Sequence, residues 1–413
     1  MAHRGGGVNV GVEPRWLLAR RDQAEKELVR VGIPDAGNEE WKYSDARRFL
    51  TQTKVGDPEA VAALASELSL PEAWQVLVFV GGVFRRDLSR FADVPRGVSV
   101  DPLSQALDTD APSVGAHLGA LDPTGRTFFA ANRERWSDGL FLKIPQDATL
   151  PGPIQIIDIG SGSSFLRHLV LAGSGSCAEI LEVRATTEGT PATVQSVLEA
   201  DLDAGARVHY ASLQAGGDQL RSWAGLAAKV GRGAEFTSRQ FLVSGEVVRS
   251  ETFVELAGPG AHADLSGLSA VSGERSADVL TVVRHASGQA TSHQLFQALA
   301  GGRSTATFLG IVKVDPDAQK TSARQSSRNL LLSREASINS RPQLEIWADD
   351  VKCSHGSTTG RLDEKALFFL RSRGFSEAGA KALLVRAFAG ELVEKLPEGA
   401  FRSRVEGLLE KVL

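Results

Sequence analysis

Between Gly139 and Thr359 the sequence loses helical periodicity and becomes a succession of short alternating runs broken by glycine. Examples are "AGSGSCAEILEVRA", "DAGARVHYASLQ", "GRGAEFTSRQFLV" and "GPGAHADLSGLSAV". In "ARVHYASL", Ala206, Val208 and Tyr210 share one face and Arg207 and His209 the other, which is the two-residue period of a strand. The turn glycines Gly175, Gly205, Gly231 and Gly258 follow one another at steps of 26 to 30 residues, and the next comparable turn, Gly301-Gly302, comes 43 residues on. A strand-and-turn unit recurring every ~20–50 residues cannot bury its inner face alone, so it stacks on its neighbours. The expectation is a mainly β chain whose core, residues 139–359, is a β-helix. A β-sandwich with long hairpins is the competing arrangement. Glycine supplies the tight turns, at 42 of 413 residues, above the average of about 7%.

The flanks read differently. Residues 1–138 form a helical and mixed region. Pro14 opens a helix in which Trp16, Leu17, Ala24, Leu28 and Val31 fall on one face, and Gly32 and Pro34 stop it. "EEWKYSDARRFL" is a short amphipathic piece carrying Trp41, Tyr43 and Phe49, read as aromatic packing. "WQVLVFVGGVFRRDLS" reads as two strands joined at Gly81-Gly82. Residues 360–413 form a C-terminal helical domain. "RLDEKALFFLRSRG" has acids in its first turn, arginines in its last and Gly374 as its stop, and Ser376 caps the next helix. That helix carries an apolar stripe of Ala380, Leu384, Ala387, Phe388 and Leu392. A last stripe holds Phe401, Val405, Leu408, Leu409 and Val412. Two amphipathic helices after a solenoid either cap its end or offer a partner surface, for which Leu384, Phe388 and Leu392 are the candidates.

Charge and motif content exclude several functions. A formal net charge of −4 gives no basic face for nucleic acid. The longest apolar run, Val76 to Phe84, is too short for a membrane span, and the first sixteen residues contain no signal-peptide core. Two cysteines far apart give no disulfide framework, so a cytoplasmic, reducing location is expected. No Walker A loop, His-Glu-x-x-His or paired Cys-x-x-Cys occurs, and "GSGSS" lies in a turn with no helix after it. His262, His285 and His293 read as ordinary polar residues of the strand-rich part.

"DDVKCSHGSTTGRLDEKALFFLRSRG" puts Cys353 two residues before His355. In a strand these two side chains project from one face, and both are suitable ligands for iron, zinc or copper, whereas Lys352 and Ser354 project from the other. A lone Cys-x-His also serves simple packing. An iron–sulfur cluster usually takes about four protein ligands, so a chain with one such pair and a distant Cys177 would need ligands from a second chain.

This stretch, with "LEIWADD" before it and "AFAGELVEKLP" after, resembles the SufB/SufD family of the SUF iron–sulfur cluster assembly system, as does "EEWKYSDARRF" near the N-terminus. Gly356 favours the SufD side, since the SufB side carries Cys-x-His-Glu. Ser357 and Thr359 stand where relatives often have Ala and Val. The resemblance implies a right-handed parallel β-helix between helical regions. It also implies a non-catalytic scaffold that pairs through the end of its β-helix with a SufB-like subunit, or with a second copy. The C-terminal helices would engage a SufC-like ABC-type ATPase. His355 would lie at the subunit interface where a nascent, transient cluster forms, with Cys353 beside it. Flavin has been associated with the complex, and no flavin pocket is identifiable in the sequence. The alternative is a β-helix carbohydrate-active enzyme, for which Asp264 and Glu255 are candidate carboxylates by residue type alone.

Overall fold

Strand alternation becomes a stack of coils because each strand finds its partner about 30 residues along the chain rather than next door. The computed structural model describes residues 13–51 and 57–411. The expected absence of a signal-peptide core before residue 13, and the place of Val412 in the last stripe, lie wholly or partly outside the described residues. The chain alternates between two sheets. A front sheet runs from Gln75–Val80 through Ile154–Gly160, Cys177–Thr186, Arg207–Gln214, Glu235–Leu242, His262–Val271, Thr291–Ala300 and Ser322–Leu331 to Lys352–Arg361. A back sheet runs from Leu140–Ile144 through five further strands to Thr305–Val314 and Ser337–Ile346. All these neighbours pair in parallel, giving a β-solenoid of about eight turns with helices before and after it. The parallel ladders rule out the β-sandwich. Gln75–Val80, ahead of residue 139, is already part of the front sheet.

The two ends differ. At the start, antiparallel strands close both sheets: Val83–Phe84 folds back on Gln75–Val80 through Gly81-Gly82, and Ser99–Pro102 pairs with Leu140–Ile144. At the other end the last strands, Lys352–Arg361 and Ser337–Ile346, each have a neighbour on one side only.

One corner of successive coils, up to the one before the last, uses a left-handed residue. Asp147, Gly175, Gly205, Gly233, Gly260, Gln289 and Lys320 all have φ between 59° and 73°. Backbone hydrogen bonds stack this column, from Gly175 N–H to the Ala204 carbonyl and onward to Lys320 N–H on the Asp350 carbonyl. The column explains the irregular step in the sequence. Glycine spacing follows this corner as far as Gly258 and loses it where Gln289 and Lys320 take over. Gly301-Gly302 belongs to another corner, where Gly302 stacks on Gly273. Gly258 itself is needed for closeness, because a Cβ there would lie 2.3 Å from the Arg232 nitrogen.

Inside the coils lies one long apolar cluster, from Leu77 and Leu140 to Phe296 and Phe308. It is interrupted by charges that strand alternation places inward. Burial opposes the Glu182 charge, but Arg184 at 2.7 Å and hydrogen bonds from Tyr210 and Ser196 outweigh it and hold its pKa at about 2. Burial and the Glu182 carboxylate push Asp158 up to about 7, although Ser164 donates to it at 3.0 Å.

Both outer faces are partly covered. The expected first helix, Arg15–Val31, buries Leu17 and Ala24, with Leu17 joining Trp136 and the back-sheet residues Phe141 and Leu169. Trp41 stacks on Phe128 and carries the Arg249 guanidinium 3.8 Å from its ring centre, so the tryptophan of this segment is packing, as expected, whereas Tyr43 is exposed. Helices Pro58–Leu68, Glu377–Val393 and Ala400–Glu410 lie on the front sheet, where Val385, Ala389, Leu392, Val405 and Leu409 meet Leu268, Leu295 and Leu299. The last two helices therefore do not cap the solenoid; they pack along its side.

Lys320 takes a left-handed conformation that costs a side-chain-bearing residue more than glycine, even after glycine's larger unfolded-state entropy. Lys320→Gly is expected to stabilise the fold by about 0.5–1 kcal/mol, read as a higher urea midpoint at unchanged slope. An unchanged or lower midpoint would contradict the strained column.

Candidate functional site

The site is built by the absence of a further coil. In Ser322–Leu331 the alternate residues Ala323, Gln325, Ser327 and Asn329 point inward and are buried. Register places Cys353, His355, Ser357 and Thr359 of the next strand directly on them, with the same inward facing. No coil follows, so these inward positions form the end face of the molecule. Every residue of Lys352–Arg361 except Cys353 is exposed, and no residue of Ser337–Ile346 is buried.

Cys353 and His355 thus share one face, as the strand spacing implied, but their surroundings differ. Cys353 is half-buried against Val312, Val314, Ala318, Ala323 and Ala348. Burial pushes its thiol upward, and a backbone hydrogen bond with Ala323 offsets this only in part. Burial thus disfavours the thiolate form of Cys353. His355 stands free of the apolar cluster at the exposed surface. Beyond it a hydroxyl ladder ties the two terminal strands together: Ser357 donates to Ser340 Oγ and Ser340 to Ser327 Oγ, each at 2.9 Å. Ile346 and Trp347, 38% and 57% exposed, leave apolar surface at the exit of Ser337–Ile346. Between Lys352 and Arg361 the edge strand carries no Asp, Glu, Lys or Arg, so it lacks the charged side chains that usually block pairing along a free edge. Among the described residues, no group of three or more His, Cys, Asp or Glu side chains could hold a metal ion.

The apolar stripe assigned to a partner is mostly used internally. Leu392 is 1% exposed against the front sheet, and Leu384 and Phe388 are half-buried, Phe388 packing on the same cluster. Leu392 thus seats the helix, while Leu384 and Phe388 keep part of their surface outside. The exposed apolar surface lies on the helix before, Glu364–Ser372, and its junction with Glu377–Val393. There Phe368, Phe369, Phe375 and Leu383 are 75%, 56%, 46% and 41% exposed. The sequence signal for it is "ALFFL", which is more apolar than one helix face can bury; Leu367 alone is buried.

The carboxylates considered for sugar chemistry do not form a pair. Asp264 projects outward from the front sheet and is held by both Arg239 terminal nitrogens, while Glu255 projects from the back sheet toward Arg284. Acid and nucleophile for glycoside cleavage must flank one bond, about 5–10 Å apart on one face. His262 bonds Thr291 Oγ at 2.6 Å and buried His285 bonds Ser292 Oγ at 2.9 Å, while His293 lies 3.7 Å from Asp264. All three histidines have polar neighbours of their own.

Comparison with known proteins agrees with this geometry. Residues 156–388 match the family model for the SUF system FeS cluster assembly SufBD core domain, and residues 12–156 match that for the SufBD protein N-terminal region. The iron–sulfur cluster assembly protein SufD of Escherichia coli is 29% identical over 408 residues, covering 95% of this chain and 92% of that protein. An iron–sulfur cluster assembly SufBD family protein of Synechocystis is 27% identical, covering 96% and 91%. A chloroplastic protein of Arabidopsis thaliana, ABCI7, is 26% identical, covering 94% and 85%. The chain, with its parallel solenoid and its Cys-x-His on the terminal strand, belongs to the SufBD family of iron–sulfur cluster assembly proteins.

Proposed function

We propose that this chain is a non-catalytic scaffold subunit that completes a cluster-assembly site by joining its open end to a SufB-like partner in the cytoplasm, where thiols stay reduced. The observation that carries the reading is the terminal coil. It combines two ten-residue edge strands, exposed Ile346 and Trp347, and a Cys-x-His pair on an unsatisfied end face. Edge strands pair readily with a second chain, and their free N–H and C=O groups supply the hydrogen bonds. Iron accepts both imidazole nitrogen and thiolate sulfur, and the transient cluster is the cargo of this surface. His355 would offer its nitrogen directly. Cys353 must first lose its proton and leave its apolar contacts, so the partner's ligands carry most of the thiolate share.

A SufC-like ABC-type ATPase would dock on Phe368, Phe369, Phe375 and Leu383. Two features support that place. Glu364–Ser372 buries only Leu367, and it follows the last strand after only Leu362 and Asp363. A pull on this helix would reach the strand bearing Cys353 and His355, which is itself held along one edge only.

Both parts are testable in the complex of this chain with SufB-like and SufC-like subunits. His355→Ala should lower bound iron and sulfide severalfold, Cys353→Ala should lower them less, and both variants should remain folded. Normal loading of His355→Ala would contradict the site. Separately, the double variant Phe368→Ser, Phe369→Ser should bind the ATPase at least about tenfold more weakly with an unchanged circular dichroism spectrum. Full retention of the ATPase would place its interface elsewhere.

A further inference from the structure

The column of inward side chains that ends at His355 contains two buried amides. Gln294, Gln325 and His355 are successive partners in the front sheet. Gln294 and Gln325 are 0% and 2% exposed. Gln294 Oε1 accepts from Thr281 Oγ1 at 2.7 Å and from Gln325 Nε2 at 3.4 Å. The other end of the second amide, Gln325 Oε1, is buried and has no hydrogen-bond partner. The fold also makes room for this amide across the solenoid. A Cβ on Gly310 of the back sheet would lie 2.2 Å from Gln325 Nε2 and 2.8 Å from its amide carbon.

A buried carbonyl oxygen without a donor is rare in a native fold and calls for a specific partner. Neighbouring parallel strands lie about 4.8 Å apart, so successive side chains of one column can reach each other. Below Gln325 the Gln294 amide turns its oxygen, not its Nε2, toward the Gln325 amide, and that Nε2 is itself without a partner. Above it stands His355, the next member of the column. An imidazole N–H is the donor such an oxygen lacks.

We propose that Gln325 is a positioning residue for His355. Its amide oxygen, unpartnered in this structure, would accept one imidazole N–H when the His355 ring turns inward, fixing the ring tautomer and leaving the other nitrogen's lone pair directed at the end face. This rests on the reading of His355 as an iron ligand. A ligating histidine needs one nitrogen held as a donor so that the other is free to bind. Gln294 and Thr281 then act behind it by fixing which way the Gln325 amide faces, and Gly310 by leaving space for it.

The test uses the full chain, free of iron and labelled with 15N-histidine, at a pH where the imidazole is neutral. The His355 signals are identified by their loss in His355→Gln. Wild type is expected to show one tautomer for His355. Gln325→Met is expected to show the mixed shifts of a free imidazole, and Gln325→Glu, which keeps an acceptor of the same shape, to retain the single tautomer. If Gln325→Met proves insoluble, Gly310→Ala displaces the amide from the opposite sheet and should give the same mixture. Unchanged His355 shifts in the soluble member of this pair would overturn the proposal, as would a wild-type spectrum already mixed. Iron and sulfide loading of the Gln325→Met complex, expected to fall severalfold, separates the two readings. If the tautomer is lost in Gln325→Met yet His355→Ala loads normally, Gln325 still orients the ring and the ligand assignment fails instead.

Discussion

A parallel stack of strands satisfies each backbone edge with the next coil, so the last coil is always left with one edge and one interior face unsatisfied. Everything distinctive in this molecule follows from where that deficit is left. At the first end, short antiparallel strands remove it. At the second end nothing does, and the chain places its only closely spaced thiol and imidazole there. The same inward positions that hold Ala323 and Gln325 in a dry interior become, one coil later, a polar surface carrying Cys353 and His355.

The rest of the fold keeps that end rigid in place but free to act. The helices lie along the sides, with Val385, Leu392, Val405 and Leu409 buried on the front sheet and the Trp41 cluster on the back. The N-terminal segment reaches the terminal strand pair where Arg341 donates to Glu39. The hydroxyl ladder through Ser327, Ser340 and Ser357 joins the last strands by hydrogen bonds, beside the apolar contacts of Leu344, Ala348 and Cys353. Such hydrogen bonds hold geometry yet exchange readily with a partner or with water. The lightly buried helix Glu364–Ser372 sits next to this weakest part of the sheet.

Much of this architecture is legible in the sequence. Strand alternation, the stop at Gly374 and the cap at Ser376 follow from local chemistry, and the structure has them: Gly374 is left-handed and Ser376 accepts from the Gly379 N–H. The shared face of Cys353 and His355 follows from the two-residue period alone. What escapes is what depends on closure of the coil. Gln289 and Lys320 occupy a glycine-type corner only because neighbouring corners dictate its conformation. Glu182 is buried with Arg184 of its own strand and Tyr210 of the next coil as partners, which no local pattern announces. The stripe of Leu384, Phe388 and Leu392 shows that a face is buried but not against what. Asp264 and Glu255, nine residues apart in the chain, land on opposite sheets. Gln325 carries no sequence signal, since an amide in a strand is ordinary until its neighbours are known.

The central claim is that the open end, and not the sides, is where this chain meets its assembly partner. Hydrogen–deuterium exchange of the chain alone and of its complex with SufB-like and SufC-like subunits tests it directly. Amides of Ser337–Ile346 and Lys352–Arg361 on the free edges should exchange quickly in the isolated chain and become strongly protected in the complex. Protection confined to the helices or to the outer sheet faces, with the terminal strands exchanging as before, would contradict the account.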